Sequence, residues 1–238
     1  MKEITYRIPE CPVRIALLTD FHNAPSFDFL PLQQRKPQLI CIAGDAVYGK
    51  DPLGEQKNVL PFLRACCAVA PTFMSLGNHE QGLETHDLRE IRETGTVLLD
   101  NSWVKMDGIA IGGLTSAYVT ERRKYGESRQ HGEHKPETKW LEAFAAADGY
   151  HILLSHHPEY YALIPEAVDL VLCGHAHGGQ IRLFHHGLCA PGQGWWPKYT
   201  KGVYGGRMVV SAGLTNTARA VPRLFNPCEI VYVAGTGN

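Results

Sequence analysis

The side chains of this sequence best suited to chemistry are Asp20 and His22, Asp45, the neighbours Asn78 and His79, His156, and the pair His175 and His177. All are types that ligate metal ions or move protons. The pair lies in Gly174-His175-Ala176-His177-Gly178-Gly179. There glycine and alanine leave little bulk, and two imidazoles can converge on ions lying close together. Standing alone, a His-x-His is as readily a turn, and any one of the oxygen donors as readily a cap. Their recurrence at the ends of five apolar runs makes metal binding the stronger reading.

Asp20 and His22 are two apart, so the pleat of a strand end would point both to one side. Asp45 follows Gly44, which lets the backbone turn, and its two carboxylate oxygens can bridge two ions. Asn78 offers a neutral carbonyl oxygen. Imidazole and oxygen donors without thiolate favour Mn, Fe or Zn over Ca. Two divalent ions, the carboxylates of Asp20 and Asp45 and a bridging hydroxide would leave about +1 at the site, a charge that attracts an anionic phosphate ester. His79 adjoins a proposed ligand but points elsewhere. It is the candidate general acid for the departing alkoxide; the competing reading is that it orients Asn78 or a backbone group.

The elements that must position these residues alternate. Residues 13–19 (VRIALLT), 38–43 (QLICIA), 72–76, 151–154 and 168–173 read as buried strands, each emptying into one of the polar clusters. Ile4, Tyr6 and Ile8 suggest a half-exposed first strand. Helices are expected over 27–35, 59–69 with Leu60, Leu63, Cys67 and Val69 on one side, 86–93 and 140–146. Further strands are expected at 97–99, 103–106 and 109–112, the last two joined by the Asp107-Gly108 hairpin signal, and at 180–184, 202–204, 208–212 and 229–233. Residues 120–138 read as a charged surface loop. The order predicts an α/β sandwich of two mixed β-sheets flanked by helices, with its site outside the carboxyl ends of the strands.

At 238 residues, with a hydrophobic fraction of 44%, one domain spanning 1–238 is expected. A net charge of -1 with interleaved signs announces no nucleic-acid or anionic-membrane surface. Seven cysteines, without Cys-x-x-Cys spacing, suit buried thiols better than a disulfide framework. No stretch approaches the ~18 continuous apolar residues of a membrane span, and MKEITYRIPE has no apolar leader core, so a soluble cytoplasmic protein is expected.

In order, the motifs D-x-H, G-D, G-N-H-E, H and G-H-x-H resemble those of the calcineurin-like metallophosphoesterase superfamily. The resemblance implies a metallophosphatase-type sandwich in which Asp20, His22, Asp45 and His177 hold one ion, Asp45, Asn78, His156 and His175 hold the other, and His79 is catalytic. The sequence GHAHGGQIRL, with Lys198-Tyr199, Gly202, Pro222-Arg223 and 226–230, is similar to the bacterial small phosphohydrolase and phosphodiesterase branch marked by G-H-x-H-G-G-Q. The implied activity is hydrolysis of phosphodiesters by a metal-bridging hydroxide. The alternatives are a pyrophosphatase on a nucleotide- or lipid-linked substrate, and a non-catalytic scaffold like the retromer subunit that keeps this fold. Leu76 before Gly77, and Ala46-Val47-Tyr48-Gly49 after Asp45, depart from the protein phosphatases of the superfamily and disfavour a phosphoprotein substrate.

Beside these, alternation points His157 away from the site, to a supporting or surface role. His131 and His134 are expected to be solvated, and His185 and His186 to be surface or site rim. Trp195, Trp196, Tyr199 and Tyr204 either pack or form an aromatic lip that stacks on a base, sugar or acyl group. Arg223 either contacts a phosphate or makes a structural ion pair.

Overall fold

The computed structural model of the chain describes residues 1–49, 51–117, 135–184, 186–216 and 222–237. Through the first half run β1 (Lys2–Arg7), β2 (Ile15–Leu18), α1 (Leu30–Arg35), β3 (Leu39–Ala43), α2 (Val59–Val69), β4 (Thr72–Ser75), α3 (Thr85–Glu93), β5 (Val97–Leu99), β6 (Ser102–Met106) and β7 (Ile109–Leu114). Then come α4 (Trp140–Ala145), β8 (Tyr150–Ser155) and β9 (Leu170–Cys173). Short ladders follow, β10 (Arg182–Leu183), β11 (His186–Gly187), β12 (Cys189–Ala190) and β13 (Gly194–Trp195), before β14 (Gly202–Tyr204), β15 (Met208–Val210) and β16 (Glu229–Ala234).

Two six-stranded sheets carry the architecture, β1-β16-β2-β3-β4-β5 and β14-β15-β9-β8-β7-β6. In the first, β2 to β5 are parallel and β16 runs antiparallel to β2. In the second, β7, β8, β9 and β15 are parallel, with β6 and β14 antiparallel at the edges. This is the expected α/β sandwich of two mixed sheets.

The pleat explains the layering. Leu39, Cys41 and Ala43 of β3 face Ile152 and Leu154 of β8 and Leu170 and Leu172 of β9 in the core between the sheets. The alternate residues Ile40 and Ile42 face α1, α2 and α3, and Leu153 and Val171 face α4 on the far side. Strands buried on both faces therefore read as continuous apolar runs, and each fully buried Leu or Ile contributes about 1.5–3 kcal/mol.

Helix α2 has the expected span but not the expected face. Val59, Phe62, Leu63 and Cys66 are its buried residues, while Leu60, Cys67 and Val69 are only half-buried. Phe62 turns inward to stack on Phe21 at 3.9 Å, which fixes the rotation of the helix. Asp107 and Gly108, with φ of 48° and 77°, make the hairpin turn between β6 and β7. The expected strand at 180–184 shortens to β10, because Gln180 takes a positive φ of 53°. Of the expected charged loop, residues 120–134 lie outside the described residues, as do His131, His134 and His185. All seven cysteines are free thiols. Among the described residues, no helix is long and apolar enough to cross a membrane.

Strands β2, β3 and β4 of one sheet and β8 and β9 of the other all end at the same edge of the sandwich. Every candidate ligand follows one of them within a few residues.

Candidate metal centre

The loops after these five strands bring their polar side chains into one buried cluster. Asp20 Oδ1 lies 3.7 Å from His22 Nε2 and 3.5 Å from His177 Nε2. Asp45 Oδ2 lies 3.1 Å from His156 Nε2, 3.9 Å from His22 Nε2 and 3.7 Å from His79 Nε2. The His156 and His175 rings are 5.0 Å apart. Asn78 sits between Gly77 and His79, both of which touch Asp45. His79 N–H donates to Asp45 Oδ1 at 3.0 Å, and a Cβ on Gly77 would fall 2.2 Å from the same oxygen. Only glycine fits at Gly77, and a Cβ on Gly174 would collide with Thr19 Oγ1 at 1.8 Å.

Strand pleating is not what makes Asp20 and His22 converge. Strand β2 ends at Leu18, and the two residues have φ of 56° and 49°. Asp45, His175 and His177 are left-handed too, at 56°, 65° and 45°. Such conformations cost about 1–3 kcal/mol each in a non-glycine residue and persist where the surroundings over-determine them. Here the two rigid sheets do so, and the strained turns aim five side chains at one point.

Hydrogen bonds assign each group its part. His22 Nδ1–H donates to Val47 O at 3.1 Å and His156 Nδ1–H to Ala43 O at 2.7 Å, which leaves Nε2 of each ring facing the cluster. Asp20 Oδ2 accepts from Thr19 Oγ1 at 2.7 Å, which leaves Oδ1 inward. Asp45 Oδ1 accepts the His79 N–H, so a single oxygen, Oδ2, lies among His22, His156 and His79. Among the described residues, Asp20 Oδ1, His22 Nε2, Asn78 Oδ1 and His156 Nε2 are buried without a hydrogen-bond partner. Four orphaned polar atoms in one place are expensive unless an unseen ligand satisfies them. Their oxygen and nitrogen chemistry fits divalent cations.

His79 differs. Its Nδ1 accepts the Gly49 N–H at 2.6 Å, so the neutral ring carries its proton on Nε2, facing Asp45. Its side chain is 26% exposed, whereas those of His22 and His156 are closed to solvent. It engages a backbone group, as one expectation had it, and also presents a donor to the cleft. His177 is a mixed case. Arg223 Nη2 lies 3.1 Å from its Nδ1 and donates to Ala212 O, while the ring's other nitrogen, Nε2, faces Asp20 Oδ1 in the cluster. The contact made by Arg223 is thus to a histidine rather than to a carboxylate.

Electrostatics follow the same geometry. Burial pushes the Asp45 carboxyl up, but the His156 and His79 imidazoles and the remaining neighbours outweigh it and hold Asp45 well below the usual carboxylate range. Burial lowers His156, yet the adjacent Asp45 and Asp20 carboxylates raise it to about 10. Burial dominates at His177, lowered to about 4, and at His175, also lowered. Burial lowers His79 as well, which keeps it neutral near pH 7.

One residue stands out that sequence reasoning passed over. Glu80 is buried, and its carboxylate accepts the N–H groups of Asp45 at 2.8 Å, Gly77 at 2.7 Å and Val47 at 3.2 Å, clamping the loop after β3 to the loop after β4. Burial, then the charge of Asp45, raises it to about 7. Its signal was present as the last letter of G-N-H-E. Glu80→Ala is expected to strand three buried N–H groups and lower unfolding free energy by roughly 3 kcal/mol or more; Glu80→Gln, which keeps one acceptor oxygen, should lose less in the same urea titration. Of its two expected roles, His157 takes the supporting one. It is buried, its Nε2 lies 2.7 Å from Ser116 Oγ, and its ring packs 4.0 Å from His175. Tyr199 and Tyr204 pack together at 5.1 Å, but Trp195 and Trp196 remain exposed.

A family model described as calcineurin-like phosphoesterase matches residues 13–179, the span from β2 through His177. An uncharacterized metallophosphoesterase of Campylobacter jejuni is 28% identical over 98% of this chain and 62% of its own length. Phosphodiesterase YaeI of Escherichia coli is 29% identical over 72% of this chain and 63% of its own. An uncharacterized metallophosphoesterase of Helicobacter pylori is 27% identical over 71% of this chain and 45% of its own. The chain spans less than two thirds of the length of each of these relatives. With the motifs, the sandwich and the matched span in agreement, the chain belongs to the calcineurin-like phosphoesterase family.

Proposed function

We propose that the chain, acting as one domain, is a dinuclear metal-dependent phosphoesterase that hydrolyses phosphodiesters. The observation that carries this reading is Asp45 Oδ2, a lone carboxylate oxygen set among the Nε2 atoms of His22 and His156 in a cluster of orphaned donors. Asp20, His22, Asp45 and His177 would hold one ion, and Asp45, Asn78, His156 and His175 the other. Divalent ions such as Mn, Fe or Zn supply Lewis acidity there, lowering the pKa of a bound water and stabilising charge on phosphoryl oxygens.

The chain's own residues do the rest. Val47 O and Ala43 O hold the His22 and His156 rings with Nε2 inward. Gly49 N–H holds the proton of His79 on Nε2, from which it is given to the departing oxygen. Tyr48, stacked on His79 with ring centroids 5.7 Å apart, limits the swing of that ring. A net charge of about +1 at the loaded site draws in an anionic phosphodiester. Similarity to a protein named phosphodiesterase supports the same choice.

The test is a substrate panel on Mn-, Fe- and Zn-loaded protein. Bis(p-nitrophenyl) phosphate is expected to be hydrolysed with a higher kcat/KM than p-nitrophenyl phosphate or a nucleotide pyrophosphate. Preference for the pyrophosphate would favour the pyrophosphatase alternative, and inactivity with every metal would favour a scaffold.

A further inference from the structure

The overall charge of -1 hides a segregation. Between Asp169 and Glu229 the sequence has no acidic residue, yet it holds Arg182, Lys198, Lys201, Arg207, Arg219 and Arg223. The same stretch carries the largest exposed apolar side chains of the described surface, with Phe184 99%, Phe225 81%, Trp195 78% and Trp196 68% exposed. Leu183 and Leu224 are exposed beside them.

Arg182, Leu183, Phe184, Leu224, Phe225 and Trp196 gather around the β10–β11 hairpin. Leu183 and Phe184 lie at the tip of the β10–β11 hairpin, and Ile181 pairs with Leu224, which places Phe225 alongside. Arg182, Leu183, Phe184 and Phe225 line one shallow groove. On the other side Trp196 stacks on His186 at 5.3 Å. The patch is also tied to the metal-centre loop. Arg182 Nη1 donates to Gly178 O at 2.8 Å, and Asn226 Nδ2 to His177 O at 2.7 Å.

We propose that this face docks on an anionic lipid surface and so presents the adjoining site to phosphoester headgroups. Aromatic and aliphatic side chains at turn tips insert among acyl chains and headgroups, while Arg182 in the groove and the exposed Lys198, two residues from Trp196, supply charge drawn to anionic lipid. A single nucleic-acid strand would also meet cations and rings, but it stacks on rings and gains little from Leu183 and Leu224. The headgroup half of the inference rests on the phosphoesterase reading; the docking half does not.

The experiment is flotation of the full chain with vesicles of phosphatidylcholine alone and of phosphatidylcholine with phosphatidylglycerol. A double variant, Phe184→Ser with Phe225→Ser, is run in parallel. The chain is expected to float with the anionic vesicles, with a blue shift of Trp fluorescence, and the variant to partition at least about tenfold more weakly. The variant should hydrolyse a small soluble diester as the parent does, since neither side chain belongs to the core or the site. Failure to float, equal binding to neutral vesicles, undiminished binding by the variant, or tighter binding of oligothymidine than of anionic vesicles would overturn the proposal. Inactivity of the parent on the soluble diester would instead strike the phosphoesterase reading and leave vesicle binding standing.

Discussion

Asp45→Asn is expected to abolish hydrolysis, lowering kcat/KM by about a thousandfold or more, the scale of losing ~4 kcal/mol at the transition state. The substitution keeps the shape of the side chain and an oxygen to accept the His79 N–H. It removes the charge on which both halves of the cluster converge, at His22 and at His156. Without metal, an ionised Asp45 is a buried carboxylate held by imidazoles alone, and burial works against its charged form. The imidazoles outweigh that burial, so the variant should melt earlier than the parent in chelator, because His156, raised to about 10 beside Asp45, loses the carboxylate that offsets its own burial. What it should lose is the rise in Tm that Mn gives the parent, since only ions bound by the folded chain stabilise it. Thermal melts with and without Mn, paired with metal analysis, separate loss of metal from loss of fold. A variant that keeps the Mn-dependent shift and full turnover would show that Asp45 is not a ligand.

His79→Ala is the second large effect and has the opposite signature. Metal content and KM should be nearly unchanged while kcat falls by about a hundredfold to ten-thousandfold, the usual worth of a positioned proton donor. The reason is the ring's hydrogen bonding. A ligand imidazole donates through one nitrogen and turns the other inward, as His22 and His156 do, whereas His79 accepts a hydrogen bond from Gly49 N–H and keeps its own proton on Nε2. The loss should shrink as the leaving group improves, because a departing p-nitrophenolate needs little protonation and a departing alkoxide needs much. Rates for a series of aryl and alkyl diesters measure this directly. A uniform loss across the series would assign His79 to orienting the loop through Gly49 rather than to proton transfer.

Much of this was legible in the sequence because strands buried on both faces leave an unmistakable record. The runs ending at Leu18, Ala43, Ser75, Ser155 and Cys173 are apolar throughout, and the polar residues after them were assigned to one edge by the rule for parallel strands. What remained hidden was conformation rather than identity. Nothing in the letters D-F-H tells that Asp20 and His22 both adopt left-handed backbone, so the right convergence had been reached from the wrong geometry. The face of α2 was misread because Phe62 answers to Phe21, a partner forty-one residues away in sequence and visible only in the fold. Glu80 was overlooked because its bonds run to backbone N–H groups of a distant loop. The exposed turn-tip aromatics were obscured by a balanced total charge, in which an acid-free segment is cancelled by acids elsewhere.

The most direct measurement is anomalous diffraction at the manganese edge from crystals of Mn-loaded protein. Two peaks ~3.5–4 Å apart on either side of Asp45 Oδ2, one toward His22 and one toward His156, are predicted. A single peak, or ions bound away from Asp45, would contradict the dinuclear site.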